Sequence, residues 1–390
     1  MTGKNMKTIY FDNAATSWPK PPEVNAAMQK YMRTIGANPG RSGHRLSVEA
    51  ARAVYNAREK LSQLFNISDP LRIVMTKNAT EALNIAILGF LKAGDHVITT
   101  SMEHNSVMRP LRAMERRGVK LAVISCDQEG LVEPSQIKRA IKKNTTAIFM
   151  THASNVIGTV MPVAEIGRMA HKHGLIFCVD AAQTAGCYPI DVQATPIDLL
   201  AFTGHKSLFG PPGTGGLYIR KGLEQRIEPL YVGGTGSRSE VEEQPDFMPD
   251  RYEAGTPNTV GITGLQAGID FVLSAGMDQI KSKEASLVEI FLEGIQDLPG
   301  VTFYGQAGTH KRTPVVSLNL AGMDPAAVAL ELDDRFKIMV RSGLHCAPAA
   351  HKTIGTYPKG TVRFSFSYFN TQAQVTKAVE ALTIISKRRK

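Results

Sequence analysis

Ile176-Phe177-Cys178-Val179-Asp180-Ala181-Ala182-Gln183 is a short apolar run that stops at a carboxylate, and Leu199-Leu200-Ala201-Phe202-Thr203-Gly204-His205-Lys206 repeats the pattern with a lysine. Runs of this length, apolar on both faces and rich in β-branched and aromatic residues, are strands buried inside a parallel sheet. Outward from them the alternation continues. Strands are expected at 72–76, 96–101, 121–125, 147–152, 176–180, 199–203 and 216–220, with helices at 80–91, 107–117, 135–142 and 163–173. The helical stretches carry apolar residues three and four apart, and Gly118 and Gly174 suit the left-handed position after a helix end. The expected fold class is therefore α/β, a seven-stranded, mainly parallel sheet covered by helices.

Residues 231–257 break the rhythm. Gly233, Gly234, Gly236, Pro245, Pro249 and an acidic cluster mark a long loop there. Helices at 260–274 and 280–298 follow, then strands at 301–304 and 315–320 and a helix at 325–336. A strand at 339–342, a Gly/Pro-containing loop, a strand at 362–366 and a last helix from Gln372 complete a smaller α+β unit.

The chain has 390 residues, 43% hydrophobic and 21% charged. That balance excludes disorder and collagen-like repeats. No apolar run approaches the ~18–20 residues of a membrane span, and the polar start at residues 1–7 lacks the apolar stretch of a secretory signal. A cytoplasmic protein without membrane association is expected. The 45 Lys and Arg exceed the 35 Asp and Glu, but they are interleaved with acids except at Lys387, Arg388, Arg389 and Lys390, read as a solvated tail. A nucleic-acid-binding protein would rest on this +10 charge alone, without a basic, aromatic-rich patch. Cys126, Cys178, Cys187 and Cys346 form no CxxC pair, so no metal site is expected.

Several strand ends carry chemistry. Ligands of open α/β sheets bind beyond the carboxyl ends of the strands. Asn78-Ala79-Thr80 opens a helix there, as an N-cap or as a phosphate-binding helix start. Asp180 can cap its loop or pair with a protonated heterocyclic nitrogen. Lys206, flanked by a His, a hydroxyl and glycines, suits Schiff-base chemistry. An acid for a pyridinium and a lysine for an aldehyde are the two protein groups that pyridoxal 5'-phosphate demands. His104, in Glu103-His104-Asn105-Ser106, can stack on a flat ring or relay protons. In Arg341-Ser342-Gly343-Leu344-His345-Cys346-Ala347-Pro348 the turn residues argue for an exposed thiol, with Arg341, His345 or His351 favouring the thiolate. The other three cysteines read as packing residues. Arg363, in an otherwise apolar strand, needs an anion, either a substrate carboxylate or an internal acid.

Together these segments resemble the fold-type I, class V aminotransferase family of pyridoxal-phosphate enzymes and, within it, the cysteine desulfurases. The matching stretches are Tyr10-Phe11-Asp12-Asn13-Ala14-Ala15-Thr16, 78–84, Glu103-His104-Asn105, Ser154-Asn155-Val156-Ile157-Gly158, 179–183, Thr203-Gly204-His205-Lys206 and Tyr252-Glu253-Ala254-Gly255-Thr256-Pro257-Asn258. Gly343-Leu344-His345-Cys346-Ala347-Pro348 is similar to the short loop of group II desulfurases and selenocysteine lyases. The resemblance implies a large cofactor-binding domain at 21–259 and a small domain of 1–20 plus 260–390 carrying the cysteine loop. It also implies roles: Lys206 as the Schiff-base lysine, Asp180 on the pyridine nitrogen, Gln183 on the phenolic oxygen and His104 on the ring. Ala79, Thr80, Thr203 and His205 would hold the phosphate, and Gly255 and Thr256 would reach the phosphate of the other subunit of a homodimer. Asn155 would contact both substrate and cofactor, Arg363 would clamp the substrate carboxylate, His44 and Arg341 would lie near the substrate entrance, and Cys346 would be the nucleophile. The implied reaction takes L-cysteine to L-alanine and leaves a persulfide for a sulfur-acceptor protein, as in iron–sulfur cluster assembly. A selenocysteine lyase, another lyase or transaminase of this family, or a cofactor-bearing scaffold without turnover are the alternatives.

Overall fold

The structure, a computed structural model, describes residues 8–40 and 43–387. The N-terminal segment 1–7 and the last three residues of the basic tail lie outside the described residues. The chain begins with β1 (Ile9–Tyr10), α1 (Pro22–Thr34) and α2 (Arg45–Phe65). The alternating part follows as β2 (Ile73–Thr76), α3 (Ala79–Phe90), β3 (His96–Thr100), α4 (Asn105–Glu115), β4 (Lys120–Ile124), α5 (Pro134–Ala140), β5 (Thr145–Thr151) and α6 (Val163–Lys172). It ends with β6 (Ile176–Asp180), β7 (Leu199–Thr203) and β8 (Gly215–Ile219).

These seven strands, β2 to β8, form one sheet in the order β2-β8-β7-β6-β5-β3-β4. All pairs are parallel except those of β8, which runs antiparallel to β2 and β7. The apolar runs of β6 and β7 are buried at every position because helices cover both faces. Phe177, Phe202 and Leu200 face one apolar cluster, while Cys178, Leu199 and Ala201 face the other. That is the period-two alternation of a strand with two dry sides. Gly216 leaves room for the Phe202 ring, since a Cβ there would come within 2.3 Å of it.

The remaining elements are α7 (Thr259–Ala275), α8 (Met277–Ile295), β9 (Val301–Tyr304), β10 (Val315–Leu320), α9 (Pro325–Phe336), β11 (Ile338–Met339), β12 (Arg341–Gly343), α10 (Pro348–Thr353), β13 (Thr361–Ser365) and α11 (Gln372–Lys387). β12-β13-β10-β9 make an antiparallel sheet, whose core joins Ile9 and Phe11 to side chains of α8, α9 and α11. α7 instead packs along α1 and α2, and its Leu265 and Ile269 enter a cluster with the large sheet. Among the described residues no single helix is long and apolar enough to cross a membrane, and the apolar pair α7 and α8 is bent by 83°.

Two expectations change. The strand expected at 339–342 is two strands, because the chain switches partners: β11 pairs in parallel with β1, and β12 pairs antiparallel with β13. The Gly/Pro loop after Cys346 contains the short helix α10, begun by Pro348 at its first position.

Candidate active site

The carboxyl ends of β6 and β7 and the first turns of α3 and α4 open on a cavity of about 210 Å³. Ala79, Thr80, His104, Asn155, Asp180, Gln183, Thr203, His205, Lys206, Arg341 and Arg363 all line it, so residues spread from 79 to 363 meet in one place. Four sequence-identified residues are not part of this lining. Gly255 and Thr256 line a second, open cleft beside Lys77 and Tyr231. His44 is exposed and caps α2, its Nδ1 accepting the backbone N–H of Ser47 at 3.2 Å. Cys346 is exposed, next to the cavity-lining His345 and in contact with the cavity-lining Arg341.

Lys206 and Asp180 set the electrostatics. Burial lowers the Lys206 amine to about 8, partly opposed by Asp180 and reinforced by Arg363 and Arg341. Burial raises Asp180, while a hydrogen bond from the Ala182 N–H (2.9 Å) and the charge of Lys206 act against it. Asp180 thus caps its loop and also faces the cavity with its charge; the two sequence readings coexist. His104 is the N-cap of α4. Its Nδ1 accepts the Ser106 N–H at 3.1 Å, which leaves the ring proton on Nε2, and burial holds the ring neutral with a pKa of about 4.

The far end of the cavity suits a phosphate. Asn78 caps α3 by accepting the Glu81 N–H (2.9 Å), and the helix start remains turned to the cavity with Ala79 and Thr80. Gly215 lets β8 lie against that start, because a Cβ there would meet Asn78 Cα at 2.8 Å. His205 Nδ1 is buried without a protein partner, a donor or acceptor that calls for one. The His205 carbonyl is anchored by Thr16, Ser17 and Lys20. A cationic ring nitrogen against Asp180, an aldehyde against Lys206 and a phosphate at the start of α3 are therefore all matched by groups present.

Of the two sequence readings of Arg363, the structure shows the internal acid. Its Nη2 donates to Asp12 Oδ1 at 2.7 Å and its Nη1 to the Asn155 carbonyl at 3.0 Å, while Nε is buried without a partner. Arg341 is its register partner across β12 and β13, and both guanidinium groups line the cavity. Like charges placed opposite one another are unfavourable unless an anion separates them. Asp12 answers one of them.

The thiol loop corrects one expectation. Of the three groups considered for the thiolate, only Arg341 reaches the sulfur, with Nη2 at 3.8 Å from Cys346 Sγ. His345 and His351 are buried, and burial lowers both rings far enough to keep them neutral, His351 to about 4. They bring no positive charge. Both His345 and Cys346 have left-handed backbone, φ 47° and 57°. Such conformations cost about 1–2 kcal/mol per residue and persist only where neighbours fix them. The Asn105 N–H donates to the Cys346 carbonyl (2.8 Å) and Asn155 Nδ2 to the His345 carbonyl (2.7 Å), tying the loop to the cavity wall. The other thiols behave as packing residues: Cys178 and Cys187 are buried, and burial pushes all three upward, Cys126 to about 11.

Sequence reasoning assigned no role to Asp12 or Glu103, although both stand in stretches that carried the resemblance. Glu103 is fully buried behind Asp180 and accepts from Thr100 Oγ1 (2.6 Å) and the Thr151 N–H (2.9 Å). Burial, and to a smaller degree Asp180, lift it to about 8. An acid directly after an apolar strand was the available signal, as it was for Asp180.

A sheet whose strand ends gather a buried lysine, a carboxylate and a helix start is the frame of an α/β enzyme whose groups suit pyridoxal phosphate. The chain belongs to the Aminotransferase class-V family, whose model matches residues 9–378, and members of that family typically depend on pyridoxal phosphate. A probable cysteine desulfurase of Methanothermobacter thermautotrophicus is 38% identical over 384 residues, 97% of this chain and 94% of the relative. The apo structure of a cysteine desulfurase from Thermococcus onnurineus superposes with a TM-score of 0.92 at 38% identity, covering 98% of this chain and 95% of that one. The cysteine desulfurase CsdA of Escherichia coli, in an S-sulfonic acid form, gives 0.86 at 28% identity over the same two shares.

Proposed function

We propose that this chain is a pyridoxal-phosphate-dependent cysteine desulfurase that converts L-cysteine to L-alanine and leaves the sulfur as a persulfide on Cys346. One observation carries the reading: Lys206, Asp180 and a second, unanswered guanidinium converge on one cavity with an exposed thiol at its rim. The similarity to cysteine desulfurases over nearly the full chain supports it.

The bound cofactor would supply an aldehyde for the amino group of the substrate and a ring that draws electrons from its bonds. Thr80, Thr203, His205 and the start of α3 would hold its phosphate, Asp180 would keep a proton on the ring nitrogen, His104 would cover the ring and Gln183 would meet the phenolic oxygen. Arg363 and Asn155 orient the substrate carboxylate, with Arg341 beside them. Lys206, lowered to about 8, carries an uncharged amine in a useful fraction near neutral pH and takes the proton from the substrate α-carbon. The Cys346 thiolate, with Arg341 against it, attacks the substrate sulfur. The S–S bond forms as the Cβ–S bond breaks, its electron pair stays with the carbon skeleton, and protonation of that skeleton gives alanine.

The reading extends to a homodimer, supported by the placement of Gly255 and Thr256 in an open cleft beside the exposed Tyr231 rather than in their own cavity. The persulfide passes to an acceptor protein, in iron–sulfur cluster assembly or another sulfur-using route in the cytoplasm. The test is to load the purified protein with the cofactor, add L-cysteine, and follow alanine release together with the mass of the Cys346 peptide. Gain of one sulfur on that peptide with stoichiometric alanine is expected. Alanine release only from selenocysteine, or sulfur on no cysteine, overturns the reading.

A further inference from the structure

Glu103 stands between β3 and α4, directly before His104, and its side chain is wholly buried. Two groups reach it. Thr100 Oγ1, at the end of β3, lies 2.6 Å from Oε1, and the N–H of Thr151, at the end of β5, donates to Oε2 at 2.9 Å. Asp198 and Asp180, buried beside the same sheet, meet Arg220 and the charge of Lys206. Among the described residues no cation answers Glu103, and the charge that acts on it is that of Asp180, of the same sign. Thr151 is the register partner of Asp180 across β5 and β6, so Glu103 is bonded to the strand residue beside that acid.

Two buried carboxyl groups that act on each other do not both stay charged at little cost, and their surroundings decide which keeps a proton. Asp180 accepts the Ala182 N–H and faces the Lys206 amine, both of which favour its anion. Glu103 has an amide and a hydroxyl, and an unpaired carboxylate away from water takes up a proton instead of bearing the full desolvation cost. The contacts have a place for that proton. A backbone N–H can only donate, so Oε2 must be bare, whereas the Thr100 hydroxyl can accept, and 2.6 Å lies within the range for O–H···O. With Glu103 charged, Thr100 donates in this contact. With Glu103 neutral the same contact runs the other way, and the Thr100 hydrogen turns to the Cys126 sulfur, its other side-chain neighbour. Each donor keeps an acceptor in the neutral arrangement.

We propose that Glu103 is a positioning residue held as a neutral acid: bonded to Thr100 and Thr151 at once, it locks the loop that carries His104 against the strand end beside Asp180, and by keeping its proton it leaves the negative charge to Asp180. Burial, which raises Glu103 to about 8, keeps it mostly protonated at neutral pH. His104 and Asp180 both line the cavity but come from different parts of the sheet, and the side chain that ties their supports together does not itself line it.

The effect on turnover rests on the reading of the cavity as a pyridoxal-phosphate desulfurase site; the protonation state does not, and the experiment reads the two separately. Infrared difference spectra of the apoprotein near neutral pH, parent against Glu103→Gln, should show the carbonyl stretch of a protonated carboxyl, shifted in heavy water, in the parent alone. Its absence overturns the neutral acid. In the holoenzyme, Glu103→Leu keeps the bulk and removes both bonds. It should lower kcat about tenfold to a hundredfold, the range for a slightly misplaced reacting group, and weaken the circular dichroism of the visible cofactor band, which reports ring placement and not stability. Glu103→Gln, whose amide N–H and carbonyl reproduce both bonds of the neutral acid, should recover most of kcat and of that band. A Gln variant as impaired as the Leu variant overturns the neutral form, and parent-like kcat and dichroism in the Leu variant overturn the positioning role. If Glu103→Leu does not fold, the infrared difference and the cofactor band of the Gln variant decide. If the parent itself releases no alanine from L-cysteine, the functional reading fails, while the infrared spectrum and the cofactor band still decide the state of Glu103.

Discussion

Lys206 stands just past the end of a strand buried on both faces, near the centre of the seven-stranded sheet, whereas Cys346 stands on a surface loop at the edge of the small sheet. The lysine is tuned by desolvation: burial brings its amine down to about 8, and Asp180, the acid that opposes this most, is itself buried. The cysteine is accessible to solvent, with a guanidinium 3.8 Å from its sulfur and a strained backbone held by bonds from Asn105 and Asn155. The difference suits two tasks. A group that must react with one permanent partner can be enclosed, but a sulfur that is to leave the protein needs an open side.

The comparison can be broken most severely at the lysine. Lys206→Ala should lose alanine release by about 10³-fold or more and lose the visible absorbance of lysine-bound cofactor, because the proposed function makes the amine both anchor and base. Retained turnover would mean that another group takes the α-proton. Cys346→Ala should separate the two regions: cofactor absorbance stays at the parent level, while persulfide and alanine formation fall about a hundredfold. Parallel loss of cofactor would show that the two sites are not independent. Asp180→Asn keeps the shape but removes the charge, and a drop in kcat of about tenfold to a thousandfold is expected, with the cofactor spectrum shifted.

Two finer measurements sharpen the contrast. Since burial lowers Lys206, its amine is uncharged above about pH 8 and protonated below. Cofactor capture by the apoprotein should therefore slow about tenfold per pH unit below that value and level off above it. A plateau reached only near the ordinary lysine range would show that the site does not desolvate the amine. The smallest effect belongs to the loop. Cys346→Gly removes the left-handed penalty at φ 57°, partly offset by the greater freedom of glycine in the unfolded chain, so urea unfolding should show a gain of up to about 1 kcal/mol. A loss in that assay would mean that the cysteine side chain stabilises the loop through packing.

Much of the large sheet was legible because its signal is local. β6, β7, α3 and α6 fall where apolar runs and helical spacing put them, since a strand buried on both sides must be apolar throughout and a covering helix must repeat every three or four residues. Lys206, Asp180 and His104 were legible for the same reason, as polar residues that interrupt such runs at the strand ends. α1 and α2 were not read, although they are long, because they lie before the alternation that made the rest recognisable. The partner switch between β11 and β12 was invisible: a four-residue extended stretch reads as one strand whichever neighbours it pairs with.

The amino-acid sequence by itself determined the α/β layout, the chemistry carried at each strand end and the exposure of Cys346, because these follow from short-range periodicity and from turn residues. Only the tertiary structure decided that Arg363 already shares its charge with Asp12, that Arg341 rather than either histidine meets the thiol, and that Gly255 and Thr256 lie outside the cavity. Those outcomes depend on which side chains from distant parts of the chain are driven together out of water. Pairing energies and desolvation act through space, and spacing along the chain carries no record of them.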